Sequence, residues 1–173
     1  MKVLDHPSTI KLIETIEIQN KLYIVMELVK DGDLFDYILS KDFLEGKEVL
    51  VSFSSNFSMV EYEASYIMKQ LLNSINYIHS MGIIHRDLKP ENIMISLNAN
   101  HAISQIKLID FGFATFVCST KVIKDACGTP NYLGIERVFD EIITFCVAPE
   151  VLKEAGYDKK VDVFSLGVIM YFM

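Results

Sequence analysis

Asp87, Lys89 and Asn92 stand close together in the stretch Ile83-Ile84-His85-Arg86-Asp87-Leu88-Lys89-Pro90-Glu91-Asn92-Ile93-Met94. Pro90 denies this segment a regular helix, so a carboxylate, an ammonium and an amide two and three residues apart lie on a loop that can aim them into one small volume. Eighteen residues after Asn92 an apolar run ends at Asp110-Phe111-Gly112, a second carboxylate followed by a glycine that permits backbone conformations closed to other residues. Hard oxygens from two loops, with a lysine nearby, suit a magnesium-bound phosphate.

The rest of the chain must position these groups. Its 173 residues, 51% hydrophobic and 23% charged, can bury one core, as a single soluble domain or part of a larger one. The net charge of -7 speaks against nucleic acid and anionic membranes as partners and tolerates basic peptides. Cys118, Cys127 and Cys146 lack zinc-site spacing and read as free thiols in a reducing compartment. The N-terminus has no signal-peptide run, and the apolar tail from Val161 to Met173 is too short to span a bilayer. The expected address is cytoplasmic.

Alternation over Ile10 to Ile18 and an apolar run over Leu22 to Leu28, with Gln19-Asn20-Lys21 between, predict a β-hairpin. Asp33 is placed to cap a short helix reaching about Leu39. Val60, Ala64, Ile67, Leu71, Ile75 and Ile78 recur at steps of three and four, the stripe of a helix buried on one face. Ile93 to Ile95 and Ile106 to Ile109 suit a second hairpin, and Val161 to Met173, apolar on nearly every face, predicts a buried helix. The fold class is α+β.

His85-Arg86-Asp87-Leu88-Lys89-Pro90-Glu91-Asn92 resembles the catalytic loop of eukaryotic protein kinases in its serine/threonine form, and Asp110-Phe111-Gly112 resembles their metal-binding motif. Gly128-Thr129-Pro130-Asn131-Tyr132, Ala148-Pro149-Glu150 and Asp162-Val163-Phe164-Ser165-Leu166-Gly167-Val168 follow in the family's order, so the resemblance covers nearly the whole chain. Met26-Glu27-Leu28 and Gly32-Asp33-Leu34-Phe35 are similar to the calcium/calmodulin-dependent group, including calcium-dependent kinases. The resemblance implies a partial kinase fold: 1–28 from the end of the small β-lobe and the hinge, and 29–173 from an incomplete, mainly helical large lobe.

It also implies roles. Asp87 would accept a hydrogen bond from the substrate hydroxyl, Lys89 would neutralise charge on the transferred phosphoryl group, and Thr129 would brace both. Asn92 and Asp110 would hold Mg²⁺, while ATP would meet the Glu27 and Leu28 backbones, with Met26 behind adenine and Met94 beneath it. Asp33, near the nucleotide, and Glu91 match acids that select an arginine upstream of the phosphorylated residue, the alternative being a solvated surface pair. Asp162 would hold the catalytic-loop backbone from a buried helix, and Asp125 would pair with Arg86 without phosphorylation, leaving control to a calcium-sensing regulator outside these residues. His85 reads as a packing and hydrogen-bonding residue.

Departures matter equally. The glycine-rich loop and its partnered lysine would precede Asp5-His6-Pro7, and later large-lobe helices, with the arginine that would pair with Glu150, would follow Met173, so the chain reads as incomplete at both ends. Leu133 to Val147 stands where the family has one residue, making 133–146 an insertion or a translated intron; Glu48 to Met59 is a second such stretch. Three readings follow: an incomplete copy of an active serine/threonine kinase, impaired as it stands; a non-catalytic kinase-like binding module; or the product of an incorrect gene model.

Overall fold

The computed structural model describes residues 2–44, 59, 61–117, 123, 146–152 and 156–173. Strands β1 (Leu12–Ile18) and β2 (Lys21–Met26) form an antiparallel hairpin in which Ile18 faces Lys21. Gln19 and Asn20, at φ 49° and 62°, make the two-residue turn, whose positive φ angles match the right-handed twist of the strands. Asp33 Oδ1 accepts the Asp36 N–H at 2.8 Å and so caps helix α1 (Leu34–Leu44). The helix outruns the expected end near Leu39 because it contains neither glycine nor proline.

Helix α2 (Glu61–Ser80) buries Ile67, Leu71, Ile75 and Ile78, the stripe its spacing predicts. It ends against Gly82, whose φ of 72° is the left-handed conformation that stops a helix. A two-residue strand, β3 (Ile83–Ile84), then pairs with β6 (Thr115–Phe116), a ladder too short to leave a periodic signal. Strands β4 (Ile93–Leu97) and β5 (Ile103–Leu108) form the second hairpin, longer than expected because Ser96 and Gln105 continue the ladder as a polar pair.

A short helix, α3 (Pro149–Leu152), precedes α4 (Lys160–Phe172), where Asp158 Oδ1 accepts the Lys160 N–H at 2.8 Å. Val161, Leu166 and Ile169 are buried, but Met170 and Tyr171 are 60% and 82% exposed, which corrects the expectation of a helix buried all round. Among the described residues α4 packs on α2, and its opposite face is uncovered.

One core joins the α2 stripe to Leu34, Leu88, Ile93, Ile95, Ile106, Leu108, Leu166 and Ile169. A second holds Ile84, Ala148, Val151, Tyr157 and Val161. The catalytic-type loop therefore begins at a strand shared between them: Ile83 lies in the first and Ile84 in the second. Among the described residues, three two-stranded sheets with helices make the α+β class expected. Among the described residues no helix is long and apolar enough to cross a membrane.

Candidate active site

The loop between β3 and β4 starts under strain. Arg86 has φ 69°, a left-handed conformation disfavoured for a side chain this bulky, and surrounding bonds must hold it. The Arg86 N–H donates to Asp162 Oδ1 at 2.9 Å and the His85 N–H donates to Asp162 Oδ2 at 3.0 Å. Asp162, fully buried in the first turn of α4, also contacts His79 Nε2 from α2 at 2.7 Å. The Arg86 side chain is fixed separately, Nε donating to the Phe113 carbonyl at 2.6 Å and Nη1 to the Tyr157 hydroxyl at 3.0 Å.

Asp87 follows, only 7% exposed. Its Oδ2 accepts Asn92 Nδ2 at 2.9 Å and lies 3.5 Å from Lys89 Nζ. Asn92 Nδ2 also donates to the Asp87 carbonyl at 2.7 Å, closing the loop into a ring. Pro90–Asn92 forms one 3₁₀ turn with proline first, where its missing N–H costs nothing.

His85 joins this loop to the second carboxylate. Its Nε2 faces the Ile109 carbonyl at 3.0 Å, and since a carbonyl only accepts, Nε2 carries the hydrogen. The other nitrogen, Nδ1, then accepts the Asp87 N–H at 3.3 Å. Burial lowers the His85 pKa, which agrees with a neutral ring. Beyond the β4–β5 ladder the Ile109 N–H donates to the Asn92 carbonyl at 2.9 Å, which sets Asp110 one residue past the end of the pairing. Asp110 is exposed, at φ 56°, with Oδ1 accepting the Gly112 N–H at 3.0 Å.

These donors fit a magnesium ion carried by a phosphate. Asn92 spends its NH₂ on Asp87, leaving a hard carbonyl oxygen, and Asp110 presents an exposed carboxylate. Among the described residues no group of three or more His, Cys, Asp or Glu makes a dedicated cage. Two protein oxygens with phosphate and water completing the shell is how magnesium is ordinarily bound.

At the other end, Glu27 accepts the Lys11 N–H at 2.7 Å and Lys107 Nζ at 2.8 Å. Burial pulls its pKa upward, but these partners outweigh that and leave it lowered. Lys107 pairs across the ladder with Met94, and Asp33 bridges to Met94, so Glu27 and Asp33 are tied to the two strands of one hairpin. Met26 and Leu28 are exposed. A cavity of about 140 Å³ lined by Asp5, His6, Lys11, Glu27 and Lys107 shares no residue with the catalytic-type loop.

Burial raises the pKa of Glu91, opposed by its own backbone N–H and by the Lys89 charge and reinforced by Asp33 and Asp87, and among the described residues its Oε2 is buried without a hydrogen-bond partner. Burial likewise raises Asp33. Cys146, buried beside this acidic group, is pushed up to about 12 and is an inert thiol. Glu150 is half-buried in the first turn of α3. Thr129, Asp125 and the 133–145 and 48–58 stretches lie outside the described residues. Sequence reasoning did not single out Tyr157, His79 or Lys107, whose partners are distant in the chain; the nearest signal was the position of Tyr157 shortly before Asp162.

The protein kinase domain family matches residues 1–173, and the chain belongs to that family. It is 38% identical to myosin light chain kinase A of Dictyostelium discoideum over 173 residues, all of this chain and 48% of that protein. It is 42% identical to calcium-dependent protein kinase 5 of Plasmodium berghei over 173 residues, all of this chain and 25% of that protein. With CBL-interacting serine/threonine-protein kinase 9 of Arabidopsis thaliana it shares 37% over 177 aligned positions, covering 32% of that protein. The chain thus spans half or less of these relatives.

Proposed function

We propose that these residues belong to an ATP-dependent serine/threonine protein kinase that transfers the γ-phosphoryl group of MgATP to a protein hydroxyl. The carrying observation is the Asp87 carboxylate, buried, held by Asn92 and set 3.5 Å from Lys89 on a loop clamped by Asp162. Asp87 accepts the substrate hydroxyl's hydrogen bond and aims its oxygen at the γ-phosphorus, a positioning role suited to a loose transition state. The new bond joins that oxygen to phosphorus as the bond to the β–γ bridging oxygen breaks, ADP leaves, and the hydroxyl proton passes to Asp87. Lys89 neutralises charge on the moving group. Asn92 and Asp110 would hold Mg²⁺, which supplies charge neutralisation to the phosphate oxygens when bound.

Glu91 and Asp33 supply the preference for a basic residue upstream. A buried carboxylate oxygen that has no donor among the described residues, with Asp33 and Asp87 as well as Lys89 acting on it, matches a guanidinium. The similarity to a calcium-dependent kinase supports control by a calcium-sensing regulator. The 173 residues contain no glycine-rich loop with a partnered lysine, so transfer by them alone is expected to be impaired.

The test is transfer of radiolabelled phosphate from ATP to an arginine-containing serine peptide by the full-length protein, against its Asp87→Asn variant. A loss of about a hundredfold or more in the variant is expected. Equal rates in the two would end the proposal and favour a non-catalytic, partner-binding module, a reading that the exposed Ile13, Leu22 and Ile24 on the β1–β2 hairpin would then serve.

A further inference from the structure

Tyr157 is 5% exposed and sits in the second core with Ile84, Ala148, Val151 and Val161, with Val117 and Ile123 packed against that cluster. A phenylalanine would fill the same apolar space. The hydroxyl does something else: it accepts Arg86 Nη1 at 3.0 Å, in the orientation chemistry requires, because a guanidinium has donors and no acceptor. The Tyr157 backbone is engaged too. Its N–H donates to the Ile123 carbonyl at 2.9 Å and its carbonyl accepts the Ile123 N–H at 3.4 Å, an antiparallel bridge.

One residue therefore touches both strands of the problem. Ile123 lies in the segment after Asp110-Phe111-Gly112, while Arg86 immediately precedes Asp87. Arg86 stays at φ 69° only while its surroundings over-determine it, and its guanidinium is held on one side by Phe113 and on the other by Tyr157. Releasing Nη1 would free the end of the side chain and loosen the residue that fixes the direction of Asp87.

We propose that Tyr157 is a positioning residue for phosphoryl transfer, its hydroxyl holding Arg86 while its backbone is bridged to Ile123, so that the catalytic loop and Ile123 are set together. This rests on the kinase reading above. Tyr157 acts through Arg86 and touches neither substrate nor phosphate.

The experiment compares the full-length protein with Tyr157→Phe, Arg86→Leu and the double variant, using MgATP and the arginine-containing peptide. Tyr157→Phe is expected to lower kcat about tenfold with both KM values within about twofold, and to add nothing in the Arg86→Leu background. Amide hydrogen exchange at Arg86 and Asp87 should quicken in Tyr157→Phe while the unfolding midpoint stays put. An unchanged kcat, or a tyrosine effect that persists in full without Arg86, overturns the proposal. If wild type and Asp87→Asn transfer phosphate equally, the kinase reading fails and Tyr157 has no such role; exchange at Arg86 then reports separately whether its hydroxyl holds the loop.

Discussion

Asp162 Oδ1 accepts the Arg86 N–H at 2.9 Å across 76 residues of chain, so the strained start of the catalytic-type loop is pinned to the first turn of a distant helix. Its other oxygen takes the His85 N–H and meets His79. One buried carboxylate thus answers two backbone donors that would otherwise face the core.

Asp162→Ala leaves those donors unsatisfied. The expected cost is about 3 kcal/mol of unfolding free energy, the sum of desolvation penalties for one buried and one part-buried N–H group. Urea unfolding of the two proteins measures it, and a loss below about 1 kcal/mol would mean water replaces the carboxylate.

Lys89→Met keeps the length of the side chain and removes its charge 3.5 Å from Asp87. Phosphoryl transfer is expected to slow about a hundredfold in kcat with little change in peptide KM, because the charge being neutralised develops in the transition state. A change confined to KM would assign Lys89 to binding instead.

Asp33→Asn and Glu91→Gln remove the acids proposed to read a basic residue. Peptides with arginine upstream should lose about tenfold in kcat/KM relative to alanine counterparts, and the alanine peptides should change little. Equal losses on both peptides would show a general effect on the site.

Two groups give the pH dependence opposite signs. Burial lowers the His85 pKa below the unfolded 6.5, so the unfolded chain takes up the proton first and stability, full above 6.5, is lost as pH falls through the folded pKa. Burial raises Glu91 above 4.5, so its contribution is full below 4.5 and is lost as pH rises through the raised value. His85 is fully buried and Glu91 is not, so His85 should dominate and the urea midpoint should fall between pH 7 and pH 5. A midpoint that rises over that interval would assign the larger part to Glu91.

What could be read from sequence is what the chain encodes locally. The α2 stripe, the Asp33 cap and both hairpins follow from spacing and turn residues within a few positions, and α1 and the four hairpin strands differ from expectation only in where they begin or end. The β3–β6 ladder escaped because two residues per strand carry no period. Exposure on α4 escaped because an all-apolar helix does not say which of its faces meets a neighbour. At the site, residue types and the family's motif order named Asp87, Lys89, Asn92 and Asp162, which the structure places in or against one loop, and Asp110, which it leaves exposed, whereas Tyr157 to Arg86 and Lys107 to Glu27 exist only once the chain has folded.

The imidazole of His85 spans from the Asp87 N–H to the Ile109 carbonyl through two nitrogens on opposite sides of one flat ring. A ring has no internal torsion. The gap between the loop bearing Asp87 and the turn bearing Asp110 is therefore gauged by a rigid spacer of fixed width, where a flexible side chain of the same reach would let the two drift apart with every rotamer change.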